Sequence, residues 1–133
     1  MTAAHFRQQD QTAGPYRLGR HVLHDPASRA FDAAHLIRPR PLITTLHACR
    51  VPPWDQGDVG SCTANAALGC LVTSPNHCQR AIDEDDARAL YRAETRIDDS
   101  QITGHWEPDD TGSTGLWSMK ALHQAGLITS YHH

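Results

Sequence analysis

Aromatic residues are sparse, 6% of 133, and no apolar run approaches the length that crosses a bilayer. Lysines and arginines never gather into a basic run, so with few aromatics between them no surface suits a nucleic acid. Neither a nucleic-acid nor a membrane partner is expected. The first twenty residues lack both an apolar core and a small-residue cleavage site, so secretion is not signalled and a cytoplasmic location is the default expectation. A formal charge of −3 and 39% hydrophobic residues fit one small soluble globular domain with a modest core. There is no internal repeat and no low-complexity tract.

Metal and disulfide chemistry are also thinly represented. The four cysteines fall at 49, 62, 70 and 78, which misses the Cys-x2-Cys pairing of structural zinc sites. Cys62 and Cys70 belong to one predicted helix, two turns apart and too far for a bridge. Ten histidines are many, yet they are scattered, and His21-x-x-His24 has no partner at ligand spacing. No metal and no cofactor is expected.

What is present reads as helices separated by turns. Residues 1–15 are polar and aperiodic up to Gly14-Pro15, a flexible arm, and residues 16–133 form the domain. Asp25-Pro26 opens a short helical turn, and Leu42-Ile43-Thr44-Thr45-Leu46 has the composition of a short strand. Ala64, Ala67, Leu68, Leu71 and Val72 recur at helical spacing until Ser74-Pro75 breaks the pattern. Asp83 caps a second helix with Ile82 stapled onto Ala87. Ala87, Leu90, Tyr91, Glu94 and Ile97 mark that helix's mainly apolar face. Arg88, Arg92 and Arg96 form a solvated stripe, paired with Glu84 and its neighbours. Residues 98–110 read as a surface loop, Leu116 to about Ala125 as a third helix ended by Gly126, and Leu127-Ile128-Thr129 as an extended exit.

The chemistry concentrates in Trp54-Asp55-Gln56-Gly57-Asp58-Val59-Gly60-Ser61-Cys62. Two glycines let the loop turn sharply, and Ser61 is placed to cap the helix that follows. Cys62 then sits where the helix's first backbone N–H groups point, and their positive field favours the reactive thiolate. Gln56 carries an amide able to donate to an oxyanion beside that sulfur.

Gln-Gly-x-x-Gly-Ser-Cys leading into a helix resembles the nucleophile segment of papain-like (C1) cysteine peptidases, in a divergent bacterial or phage form. Val59 stands where the family commonly has another cysteine, and Thr63 where it has an aromatic. The resemblance implies an α+β fold of which this chain supplies the helix-rich first lobe, the β-rich second lobe being absent. It implies Cys62 as nucleophile and Gln56 as oxyanion donor. Thr114 and Gly115 become the loop along the substrate cleft, with Gly60 and Ser61 opposite. A peptide or protein is the implied substrate.

In that family the proton-transferring histidine lies about 130–150 residues after the cysteine, whereas this sequence continues for 71. The expectation is a truncated cysteine peptidase, inactive by itself, completed by a second chain or a longer reading frame, and exposing an apolar face where the other lobe packs. The alternative is a non-catalytic peptide-binding or interaction module built on the same lobe. Asp110-Thr111-Gly112-Ser113 spells an aspartic-peptidase motif, but Trp106-Glu107-Pro108-Asp109 precedes it where a buried apolar strand belongs. A phosphate-loop reading of residues 57–63 fails because the required lysine is missing.

Overall fold

A computed structural model of the chain describes residues 36–38, 41, 43–76, 78–99 and 104–132. The expected arm at 1–15 and the turn begun by Asp25-Pro26 lie outside the described residues. Three helices carry the architecture: α1 (Cys62–Val72), α2 (Glu84–Ile97) and α3 (Gly115–Gln124). Each packs against the other two. No strand forms among the described residues. Cys49 and Thr73 form an isolated antiparallel bridge.

The helical periods read from the sequence are those the core uses. α1 buries Ala64, Ala67, Leu68 and Val72, α2 buries Ala87, Leu90 and Tyr91, and α3 buries Ala121 and Leu122. Alanines at these faces let the helix axes approach closely, while each enclosed leucine contributes roughly 1.5–3 kcal/mol of hydrophobic stabilisation. Trp106 joins this core, its ring 5.5 Å from that of Tyr91. The segment expected as a surface loop therefore folds inward at its aromatic residue, because Tyr91 offers a buried apolar surface that only tertiary packing creates.

The helix ends differ from one another. Asp83 caps α2 by accepting from the N–H groups of Asp85 and Asp86, and Asp86 accepts from Asp83 N–H in return. Ile82 before this box and Ala87 after it are both buried, as a staple requires. α3 ends on Gly126 at φ +68°, with Gly126 N–H donating to His123 O and Leu127 N–H to Leu122 O. That left-handed stop suits glycine, whose missing Cβ removes the steric penalty. α1 and α3 begin without any side-chain cap.

Several local expectations need correction. Residues 43–46 pair with nothing described, and Ile43 and Leu46 are 79% and 97% exposed. The first contact of this segment with the fold comes later, where Arg50 N–H donates to Val72 O and Ser74 N–H to Ala48 O. β-branched composition does not make a strand without a neighbour to share its hydrogen bonds. Residues 127–129 likewise join no ladder, although Leu127 and Ile128 pack against the core. On α2, Arg88 pairs with Asp85 and Arg92 lies over the Trp106 ring near Glu107, while Glu84 instead accepts from Asp55 N–H. Among the described residues the exposed large apolar ones are Leu36, Ile37, Ile43 and Leu46, and all precede the cysteine loop.

Asp83→Ala removes acceptors for two otherwise orphaned N–H groups, and the expected loss is about 1 kcal/mol of unfolding free energy. Urea denaturation reads it as a lower midpoint at unchanged slope; an unchanged midpoint would show that α2 does not depend on this cap.

Candidate functional site

The loop preceding α1 is held by its own polar groups. Gly57 turns at φ +60° with its N–H on Asp55 Oδ1 at 2.9 Å. Val59 is the loop's internal acceptor, taking the Ser61 N–H at 2.8 Å and the Gln56 side-chain Nε2 at 3.0 Å. Gln56 is thus fixed by its own loop, with one amide hydrogen spent and a second remaining on Nε2. Ser61 occupies the cap position, but its hydroxyl does not cap. Its Oγ accepts from Asn65 Nδ2 at 3.0 Å instead.

Cys62 is the first residue of α1 and partly exposed, and its thiol is free of any disulfide. Ser61 does not cap and no acid lies in the first turn of α1, so the helix sets no side-chain anion of its own at its positive end. Cys49, Cys70 and Cys78 are also free thiols, all near the opposite end of α1. Thr114 and Gly115 begin α3. Thr114 is buried and Gly115 exposed, with open space where a Cβ would lie, so the protein itself does not demand glycine at 115. Ser113 Oγ, Thr114 Oγ1 and Trp117 Nε1 are buried without hydrogen-bond partners.

Two polar clusters tie the loop of Cys62 to the approach of α3. In the first, Gly60 N–H donates to both oxygens of Asp110, at 2.9 and 3.1 Å, and Tyr91 OH donates to Asp110 Oδ1 at 2.6 Å. Gly112 N–H closes the ring by donating to the Tyr91 oxygen at 2.9 Å. Burial and the Asp110 carboxylate push the Tyr91 phenol well above its usual range, so it remains a donor. Asp110, the first letter of the aspartic-peptidase spelling, is thereby committed to bonds within the fold and lends that reading no support.

The second cluster is Glu94. It is fully enclosed and accepts from Thr63 Oγ1 at 2.6 Å, while Ser118 Oγ donates to its other oxygen. One carboxyl on α2 thus joins the first turn of α1 to the first turn of α3. Burial raises its pKa to about 7 despite those two donors. Sequence reasoning placed Glu94 on the apolar face of α2 without assigning it a role. A lone carboxylate on a buried stripe was the available signal.

Among the described residues no three of His, Cys, Asp and Glu converge to hold a metal ion. An apolar cleft of about 190 Å³ lies between α2 and α3 with Leu68 and Ile82 in its wall and Arg80 and Asp86 beside it. None of Gln56, Gly60, Ser61, Cys62, Thr114 or Gly115 lines it. No helix among the described residues is long and apolar enough to cross a membrane.

Comparison with family models, curated proteins and solved structures finds no match to this chain. The functional reading consequently rests on the residues and their geometry.

The raised pKa of Glu94 makes stability fall as pH rises. The contribution is fully present below about 4.5, the unfolded value, and is lost by about pH 7, a change of about 3 kcal/mol. Glu94→Gln should flatten that part of the stability–pH curve in urea titrations from pH 4.5 to 8, and equal slopes in both proteins would contradict the assignment.

Proposed function

We propose that this chain carries the nucleophile half of a papain-like thiol peptidase. Support comes chiefly from one observation: Cys62 is partly exposed at the start of α1, and no side chain caps that end of the helix. Backbone N–H groups left without intrahelical partners stabilise a thiolate there. Gly60 and Ser61 lie immediately before the sulfur, and the Asp110 and Glu94 clusters draw the Thr114-Gly115 turn toward the same end of the bundle.

In the complete enzyme the Cys62 sulfur attacks a peptide carbonyl carbon. The carbonyl oxygen takes up negative charge, and the Cys62 N–H with the second hydrogen of Gln56 Nε2 donates to it. A histidine takes the thiol proton and passes it to the leaving amine, after which water releases the acyl group. The resemblance puts that histidine on a second lobe; among the described residues His105 Nδ1 is engaged with Thr95 O, and His123 sits in the last turn of α3, edge-on to Tyr131. The substrate class is a peptide lying between the Gly60 side and the Thr114-Gly115 side.

The Gln56 bond to Val59 O favours a second reading, a peptide-binding module without catalysis, since it occupies part of the oxyanion donor. Iodoacetamide labelling separates the two, with each cysteine followed by peptide mass spectrometry. At pH 6 the nucleophile reading expects Cys62 to label at least about tenfold faster than Cys70 and Cys78, because only the thiolate reacts; Cys49 is not a reference, since its bonds with the Val51 backbone and the Thr73 side chain hold its thiol below the usual range. Equal rates at Cys62, Cys70 and Cys78 would leave the binding module in possession. With the histidine-bearing lobe supplied, Gln56→Ala should lower kcat by about 10²–10³-fold; an unaltered kcat would remove Gln56 from the oxyanion site.

A further inference from the structure

A carboxyl is buried directly behind the turn that presents Cys62. Glu94 is fully enclosed, and among the described residues it enters no ion pair. Its oxygens are taken by two hydroxyls, one of which belongs to Thr63, the residue after Cys62 in the same helical turn. A charge on Glu94 therefore acts on the sulfur's end of α1 through protein, where screening by water is weak. The groups around it do not neutralise that charge. From α2 and its C-cap they are Tyr91 and Asp98, both acidic. From the loop before α3 come Asp110, bonded to Tyr91, and His105, bonded to Thr95 O. α1 brings Cys62 itself, while α3 has no acid in its first turn and its Lys120 lies over Trp117.

We infer that Glu94 is a positioning residue for Cys62, and that its proton sets how much negative charge the first turn of α1 must share with the thiolate. The inference rests on Cys62 being the nucleophile. The clasp itself survives either protonation state, because hydroxyls rotate. Thr63 and Ser118 both donate to the carboxylate, and one of them accepts when Glu94 carries a proton. Geometry is thus kept while charge changes. Neutral Glu94 leaves the helix's N–H dipoles to the sulfur alone; ionised Glu94 competes for them. Burial places this change near neutrality. The coupling is reciprocal, so whichever group ionises second does so at a higher pH than it would alone.

Two titrations test this on the full chain. Selective ¹³C labelling of glutamate side chains yields three carboxyl resonances, from Glu84, Glu94 and Glu107, and reports the Glu94 midpoint. Site-resolved alkylation against pH reports the Cys62 midpoint. The expected result is that the later of the two midpoints falls by about one pH unit when the other group is removed, Cys62→Ser for the Glu94 curve or Glu94→Gln for the Cys62 curve. Thr63→Val is the second variant, should Glu94→Gln not fold. Loss of the hydroxyl that stabilises the carboxylate should move the Glu94 midpoint upward, and the Cys62 curve should change with it. If neither midpoint responds to removal of the other group, the positioning role is overturned, even with Cys62 reactive at pH 6. If Cys62 labels no faster than Cys70 and Cys78 at pH 6, the nucleophile reading fails instead, and the two failures cannot be confused.

Discussion

A single carboxyl on α2 meets both other helices. Glu94 reaches a hydroxyl on α1 and a hydroxyl on α3 from a position closed to solvent. A buried carboxyl is costly unless hydrogen-bonded, so its presence fixes the rotation of each helix about its axis: Thr63 and Ser118 must both point at the same spot. The apolar core supplies most of the attraction between helices, but alanine and leucine faces tolerate sliding. A satisfied polar clasp does not. The consequence for the site is that the first turns of α1 and α3 lie side by side.

The Tyr91–Asp110 ring works on the same parts from the loop side. Gly60 lies two residues before the start of α1 and Gly112 three before the start of α3, and both are tied through Asp110 and Tyr91. Loop backbone that enters a core must find hydrogen-bond partners, and here the partners come from one residue on α2 and one in the opposing loop. α2 is therefore the spine of the molecule. It carries Tyr91 and Glu94 within one turn, and its own start is made secure by the Asp83 box. The helices it organises begin without a side-chain cap.

The helices were legible in the sequence because their signals are local. Three-to-four-residue apolar spacing, the Asp83 cap and the Gly126 stop each act within a turn or two of chain, and the observed bounds fall within two residues of those expected. The strands were not legible. Residues 43–46 and 127–129 have suitable composition, but a strand exists only where another backbone lies alongside, and nothing in a short window reports that. Trp106 failed for a related reason. Its neighbours in sequence are polar, and its burial depends on the ring of Tyr91, fifteen residues away.

Sequence alone determined the position of Cys62 at a helix start, the loop of glycines and Gln56 before it, and the apolar face of α2, since all of these follow from backbone preferences of adjacent residues. Tertiary structure alone decided how those parts are used. It turned the Gln56 amide onto Val59, withheld the Ser61 hydroxyl from capping, and gave Asp110 to Gly60 and Tyr91. It also made Glu94 the meeting point of three helices, because which donors reach a carboxyl depends on distances between residues 24 to 31 positions apart. Polar groups choose their partners only after packing has brought them together and excluded water, and no local pattern records that choice.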